Sequence, residues 1–563
     1  MTKSPRLYIF IILLQFSALL TNAQQLHLRI SGVSEIESKT IDSLGYESSF
    51  EDLQGLKLEL NNFRTKIESI GYIDHELLSY NKASDSLYIA KLELGPKYKS
   101  IHIYNKDLVP NSILNSINAK VENTYFTVPL DQLEQTLLQI NAEMANQGSP
   151  FSMLQLQSIS KNDDFTLSAA LTTTTTLQRT IDKIIVKGYE QFPKAFLKRF
   201  LKLKTGQQFN LQKIKSKSTE LNNLVFANVI RDPEVLFTKD STLLYMYIEK
   251  NKSNTFDGFL GFGTNEDTNA IEFDGYLNLN LINNLNYGES LKLLYKSDEN
   301  EQKTFDVNVN MPFLFSSPIG TTLKLNIFKK DSTFVTVNQS AQLNYLFDAR
   351  NSVSVGIKAV NSTDLLDQNI ASINDYSSNS FFTNYQYLKR RDNDALFPID
   401  LLFELTAGTG NRTFDTKKAQ QTTFELEALK IFNLNYNNSF FTRLTSAYLI
   451  SNNYLENELY RFGGINSIRG FEENSVLASL YTVLNTEYRY RLNPTLYVHS
   501  VIDAAYFENN LTDQKGKLYG FGLGFGMLTK AGLFKLNYSS GKSENERFRF
   551  SNSKIHISLT ATF

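Results

Sequence analysis

The sequence predicts tandem α+β modules followed by an antiparallel transmembrane β-barrel of about 16 strands. Three observations predict it. The N-terminus carries an export leader, helical periodicity stops near Phe256, and alternation of apolar and polar residues then continues to Phe563.

The leader has three parts. Lys3 and Arg6 form a positive start, Leu7 to Leu20 an apolar run, and Thr21-Asn22-Ala23 a small-residue cleavage site before Gln24. The apolar run is shorter than the roughly 20 residues of a spanning helix. Residues 1–23 are therefore expected to be a signal peptide, and the mature chain to be exported.

Composition narrows the chemistry. The 563 residues contain no cysteine, which excludes disulfides, zinc–thiolate sites, thiol nucleophiles and a cysteine-borne lipid anchor. The five histidines (His27, His75, His102, His499 and His556) lack metal-ligand spacing, so neither a metal nor a cofactor is expected. A net charge of −1 argues against a nucleic-acid partner. Abundant Tyr and Phe with few Pro favour strands.

Residues 24–252 read as three modules, 24–95, 96–178 and 179–252, each a strand, two amphipathic helices and two closing strands. The third is clearest. Ile181–Gly188 alternates like a strand, and Pro193 opens a helix to Leu203 that Thr205-Gly206 breaks. A second helix covers about Leu211–Leu224, before strands Val229–Phe237 and Leu243–Glu249. In the second module, Ser100–Tyr104 leads to helices near Pro110–Lys120 and Pro129–Gln147, then strands Leu154–Ser160 and Phe165–Thr174. The first begins at Leu26–Ser31, has its main helix at about Phe50–Ile70, and closes at Leu77–Tyr80 and Ser86–Leu94.

From Phe256, just inside a barrel domain taken as 253–563, the texture changes. Ile271, Phe273, Leu277, Leu279 and Leu281 interleave with Glu272, Asp274, Asn278 and Asn280, as Phe305, Val307, Val309 and Met311 do with Asp306, Asn308 and Asn310. Such strands have one apolar and one polar face, which fits either stacked sandwiches or a barrel with lipid outside and water inside. The ending favours the barrel. Ile555, Ile557, Leu559, Ala561 and Phe563 share one face, and an alternating strand closed by an aromatic resembles the C-terminal signal of bacterial outer-membrane proteins, here carried by Ile557, Leu559 and Phe563. At about 19 residues per strand and connection, residues 253–563 accommodate roughly sixteen strands.

Alternation also assigns faces around the loop 451–478. Asn485, Glu487, Arg489 and Arg491 share a face that must point into the lumen, since a charge on the lipid face costs about 2–4 kcal/mol at mid-bilayer. Asp503 shares the inner face of the next strand with His499, Val501 and Ala505. Gly520, Gly522, Gly524 and Gly526 then form a bare inner track opposite Tyr519, Phe521, Leu523 and Phe525. Glycine inside a strand marks close approach of another backbone. The expected occupant is the loop Ile468-Arg469-Gly470-Phe471, with Arg469 forking onto Asp503, Glu487 or both. For Glu487, neutralisation by Arg489 and Arg491 on its own face is the alternative.

These residues resemble the BamA–TamA superfamily, which includes two-partner secretion transporters. Gly464–Phe471 is similar to its lumenal-loop Arg-Gly-aromatic signature. Val501-Ile502-Asp503-Ala504-Ala505 is similar to its aromatic-x-Asp-x-Gly strand, although Ala505 and Val501 replace the usual glycine and aromatic. The modules, with Gly71-Tyr72-Ile73 and Lys204-Thr205-Gly206-Gln207, resemble POTRA domains, closest in layout to TamA-like members. A two-partner exporter usually has fewer such modules and a plug helix ahead of them, for which Leu26–Ser31 leaves no room.

The resemblance implies an outer-membrane insertase or translocase with its POTRA domains in the periplasm, and with no Ser/His/carboxylate arrangement standing out in the sequence no enzyme is expected. Its partners are unfolded outer-membrane or secreted clients, periplasmic accessory proteins at the POTRA domains, and outer-membrane lipid. The seam between the first barrel strand, Phe256–Gly261, and the last, Ile555–Phe563, is the expected exit. The alternatives are a two-partner exporter of one dedicated substrate and a passive porin with a periplasmic extension.

Overall fold

The computed structural model describes residues 25–117, 119–122, 124–174, 178–264, 271–297, 302–366, 372–391, 394–544 and 553–563; the expected leader over 1–23 lies outside them, as do the side chains of 259–274, including Ile271 and Phe273. The first two modules form one compact unit. The third, apart from Arg179 and residues 208–211, forms another with the barrel.

In the first module, strands run in the order 49–50, Leu26–Gly32, Leu87–Glu93, Glu76–Lys82, with the central two parallel. Ser34 and Glu37 form a capping box that starts the helix Glu35–Leu44. Asp52 caps the helix Leu53–Ser69 through the Gly55 N–H at 2.7 Å. Leu56, Leu60, Phe63 and Ile67, spaced by three or four, put one stripe of that helix onto Leu28, Ile30, Ala90 and Leu92.

The second module has a five-stranded sheet, in the order 120–121, Tyr125–Pro129, Ser100–Tyr104, Leu167–Thr174, Met153–Lys161. Two of these strands correct the sequence reading. The helix expected over Pro110–Lys120 covers only Asn111–Ser116, and Tyr125–Pro129 pairs along Ser100–Tyr104. Phe126 and Val128 are buried there while Tyr125 and Thr127 are not, a period-two pattern of β-favouring residues ahead of the helix Leu133–Asn146.

The third module is three-stranded, with Thr242–Lys250 between Lys183–Gly188 and Ala227–Phe237. Its first helix, Lys194–Arg199, stops short of Leu203 because Lys202 turns to a positive φ of 54°. The module meets the barrel's rim. Phe196 packs edge-on against Phe313 at 4.9 Å, Asn283 Nδ2 donates to Tyr189 Oη at 2.8 Å, and Arg199 Nε donates to the Ser316 carbonyl at 3.0 Å.

The closed barrel has sixteen strands: β1 (Thr255–Thr264), β2 (Ile271–Ile282), β3 (Ser290–Ser297), β4 (Lys303–Met311), β5 (Ile319–Lys330), β6 (Phe334–Leu346), β7 (Asn351–Asp364), β8 (Tyr376–Arg390), β9 (Ile399–Phe414), β10 (Lys417–Asn433), β11 (Asn438–Ser451), β12 (Leu480–Asn493), β13 (Leu496–Asn509), β14 (Gln514–Leu528), β15 (Leu533–Ser543) and β16 (Ser553–Thr562). Closure satisfies the backbone in hydrocarbon, where an open edge is costly. One junction differs from the rest. Between eight and fourteen residue pairs join every other neighbouring strand pair. Among the described residues β1 and β16 share two, Thr255 with Thr562 and Phe256 with Ala561.

Candidate functional site

The alternation in β12 and β13 builds the site. Asn485, Glu487, Arg489 and Arg491 turn inward on β12, while Leu484, Tyr488, Tyr490 and Leu492 are exposed on the outer face. On β13 Tyr497, His499, Val501, Asp503 and Ala505 turn inward, against exposed Val498, Ile502 and Tyr506. Ile557, Leu559 and Phe563 are exposed, as befits lipid contact on the last strand.

The connection from β11 to β12 folds back into the lumen. It contains a small hairpin, Tyr460–Phe462 with Val476–Ala478, and Ile468-Arg469-Gly470-Phe471 lies at its far end. Arg469 is buried and reaches both expected partners. Its backbone N–H and Nε donate to Asp503 Oδ2 at 3.0 and 2.8 Å, and Nη2 donates to Asp503 Oδ1 at 2.6 Å. Nη1 donates to Glu487 Oε1.

Glu487 is shared. Its other oxygen accepts from Arg489 Nε at 2.7 Å, so both alternatives for this residue hold at once. Arg491 is occupied elsewhere, with Asp394 at 2.6 Å. Two guanidiniums thus face two carboxylates, a locally neutral set in which every charge has a partner, which is what a buried ion network requires. Ile468 is fully buried and packs with Phe462, Val483, Ala505 and Leu518, with Phe471 against them.

The glycine track divides into three uses, which corrects the expectation that all of it faces the loop. Only Gly520 lies under it, where an added Cβ would collide with the Arg469 carbonyl oxygen. Gly524 and Gly526 instead make room for the His499 and Tyr497 side chains of β13, and Gly522 lies against the backbone of β15. The wall is completed by Gly541 on β15. Gly470, at φ +92°, brings its carbonyl against Gly541, where no side chain fits. In sequence Gly541 stands outside the alternating glycines, and register alone places it beside Gly520.

A second buried anchor was not expected. Arg412, inward on β9 and almost fully buried, donates to Glu458 Oε1 at 2.6 Å, and Gln421 Nε2 donates to Glu458 Oε2 at 2.9 Å. Beside it Asn457 Nδ2 donates to Ser362 Oγ at 2.9 Å and the Asn374 carbonyl at 2.8 Å. The loop therefore crosses the lumen, tied to β9 and β10 at its start and to β12 and β13 at Arg469. At the other mouth Phe397 packs on Tyr497 at 4.7 Å, with the Arg489 guanidinium 4.6 Å from its ring centre. Among the described residues no cluster of three or more His, Cys, Asp or Glu is placed to hold a metal.

Residues 179–252 match the POTRA family, described as a surface antigen variable number repeat. CdiB from Acinetobacter baumannii is 14% identical over 91% of this chain and 98% of that one, with a TM-score of 0.51. CdiB from Escherichia coli is 12% identical over 91% and 97%, with a TM-score of 0.54. The chain has the fold of these two CdiB structures. Its POTRA module enters directly on a sixteen-stranded barrel of the outer-membrane type. A BamA from Haemophilus ducreyi lacking POTRA domains 1-3 is 14% identical over 77% of this chain and 93% of that one, with a TM-score of 0.47. No curated protein matches the chain.

Proposed function

We propose that this BamA–TamA-fold protein is an outer-membrane insertase or translocase without catalytic chemistry. The three modules receive unfolded polypeptide in the periplasm, and the barrel assembles it into the membrane or exports it through the β1–β16 seam. The seam carries this reading. Among the described residues its ladder has two pairs, so parting it sacrifices few backbone hydrogen bonds. The freed edges then template an incoming strand. The lumen itself is a poor open pore, because the loop anchored by Arg469 and Arg412 crosses it. That is why the porin reading ranks lower.

Export of one dedicated polypeptide is the second reading, favoured by the extent over which the two CdiB structures cover this chain. Crosslinking separates the two. Met153–Lys161 is the edge strand of the second module, and Met153 is exposed on it. A photo-crosslinker at Met153, in cells, is expected to trap several outer-membrane protein precursors. A single secreted polypeptide would favour the exporter, and capture of neither class would contradict client reception at this edge.

A further inference from the structure

The residues that follow the arginine motif straddle the seam. Glu472 and Glu473 are adjacent in the chain, yet their carboxylates reach opposite sides of it. Glu473 Oε2 lies 3.4 Å from Lys296 Nζ on β3, two strands before the seam, and Glu472 Oε1 lies 3.1 Å from Lys554 Nζ on β16, the strand that closes it.

Their height matters. The β1–β16 ladder stops at Phe256. Lys296 pairs in register with Tyr276, which itself stands opposite Phe259 of β1, so the carboxylates act beyond the end of the ladder. Below them Asp257 and Thr560 line the lumenal cavity beside Arg469. A cavity of about 740 Å³ opens at this level, lined by Lys296, Glu473 and His556 and reaching the outward Ile555, Ile557 and Leu559.

The loop is shaped to place these two acids. Gly463, at φ +125°, sits against the Glu472 carbonyl, and Gly464, at φ +91°, against the Glu473 carboxylate; a Cβ at either position would overlap them. Arg469, three residues earlier, fixes the loop to β12 and β13. A pull on Glu473 from β3 is thus borne by β12 and β13, on the β16 side of the seam.

From this we infer that Glu472 and Glu473 form an electrostatic clasp that holds the seam shut from inside, and that withdrawing the lumenal loop releases it. The inference rests on the seam being the exit, and adds how that exit is kept closed. Both pairs are part-exposed, so each is weak and screened by salt. Weakness suits a clasp that an arriving client must displace.

The chain lacks cysteine, so a pair of spin labels can report the seam directly. Leu293→Cys on β3 and Ile555→Cys on β16 place labels on the lipid face at either side. The full chain is reconstituted in phospholipid vesicles, and folding is checked by heat-dependent gel mobility. Glu472→Gln with Glu473→Gln is expected to raise the long-distance population about twofold or more. About 1 M NaCl, where screening acts within about 3 Å, should do the same to the parent and nothing further to the double variant. Should the loop variant misfold, Lys554→Gln tests the same link from the wall. Reversing all four charges, with Lys296→Glu and Lys554→Glu opposite Glu472→Lys and Glu473→Lys, should restore the short distance. Unchanged distances in the neutral variants and no salt response would overturn the clasp. That result would leave the seam as exit standing, since the exit is tested separately by a covalent lock.

Discussion

Asp503 Oδ2 accepts two hydrogen bonds from a single residue, the backbone N–H and the Nε of Arg469. The carboxylate therefore fixes the loop's main chain as well as its charge. Arg469→Ala removes the cation and leaves two buried carboxylates, of which Arg489 serves Glu487. A loss of about 3–5 kcal/mol in barrel stability is expected. Arg469→Lys keeps the charge without the fork and should recover only part of it. Urea midpoints of the refolded protein check both, and an unchanged midpoint for Arg469→Ala would contradict the strut.

Arg412 and Glu458 make the second tie, and the two should behave as one unit. Arg412→Ala strands a buried carboxylate and is expected to cost about 3–5 kcal/mol. Arg412→Met with Glu458→Leu removes both charges and should regain most of that loss. A double-mutant cycle on unfolding free energies measures the coupling. Additive single effects would mean the pair holds nothing.

Gly541 is the glycine that the loop backbone touches. Gly541→Val places methyl groups where the Gly470 carbonyl lies, at an expected overpacking cost of about 1–3 kcal/mol. A displaced loop opens the lumen, so single-channel conductance in planar bilayers should rise. Conductance equal to the parent's would mean that the loop tolerates the side chain.

The barrel was legible because its strands obey a strict period of two. The same alternation that exposes Tyr488 to lipid turns Glu487 inward, so the partners of Arg469 could be named without a structure. Arg412 followed the same alternation on β9, beyond Gly408 and Gly410. Nothing in sequence tied it to Glu458, because that pairing depends on where the loop crosses the lumen. Gly541 was missed for a related reason, since its meaning comes from register with Gly520 and not from its neighbours. In the second module Tyr125–Pro129 is flanked by helices, and five residues are too few for periodicity to stand out.

The junction of the first two modules carries a pH dependence. Asp74 accepts from Lys161 Nζ and from Tyr98 Oη at 2.9 Å. The hydrogen bond from Lys161 is the largest influence on Asp74 and holds its pKa below the usual carboxylate value. A depressed folded-state pKa adds stability above the unfolded value, about pH 3.9, and loses it as pH falls through the folded one. The site is part-exposed, so the effect is small. Limited proteolysis of the junction should accelerate below about pH 4 in the parent. Lys161→Met should flatten that rise, and an identical acid response in both would remove Asp74 from the account.

The seam offers the most direct test of all. Phe256 and Ala561 are ladder partners on β1 and β16, close enough for a disulfide in a chain with no other cysteine. Phe256→Cys with Ala561→Cys should stop assembly or export of client polypeptides when oxidised and restore it on reduction, at unchanged levels of folded barrel. Undiminished client handling by the fully oxidised protein would contradict passage through the seam.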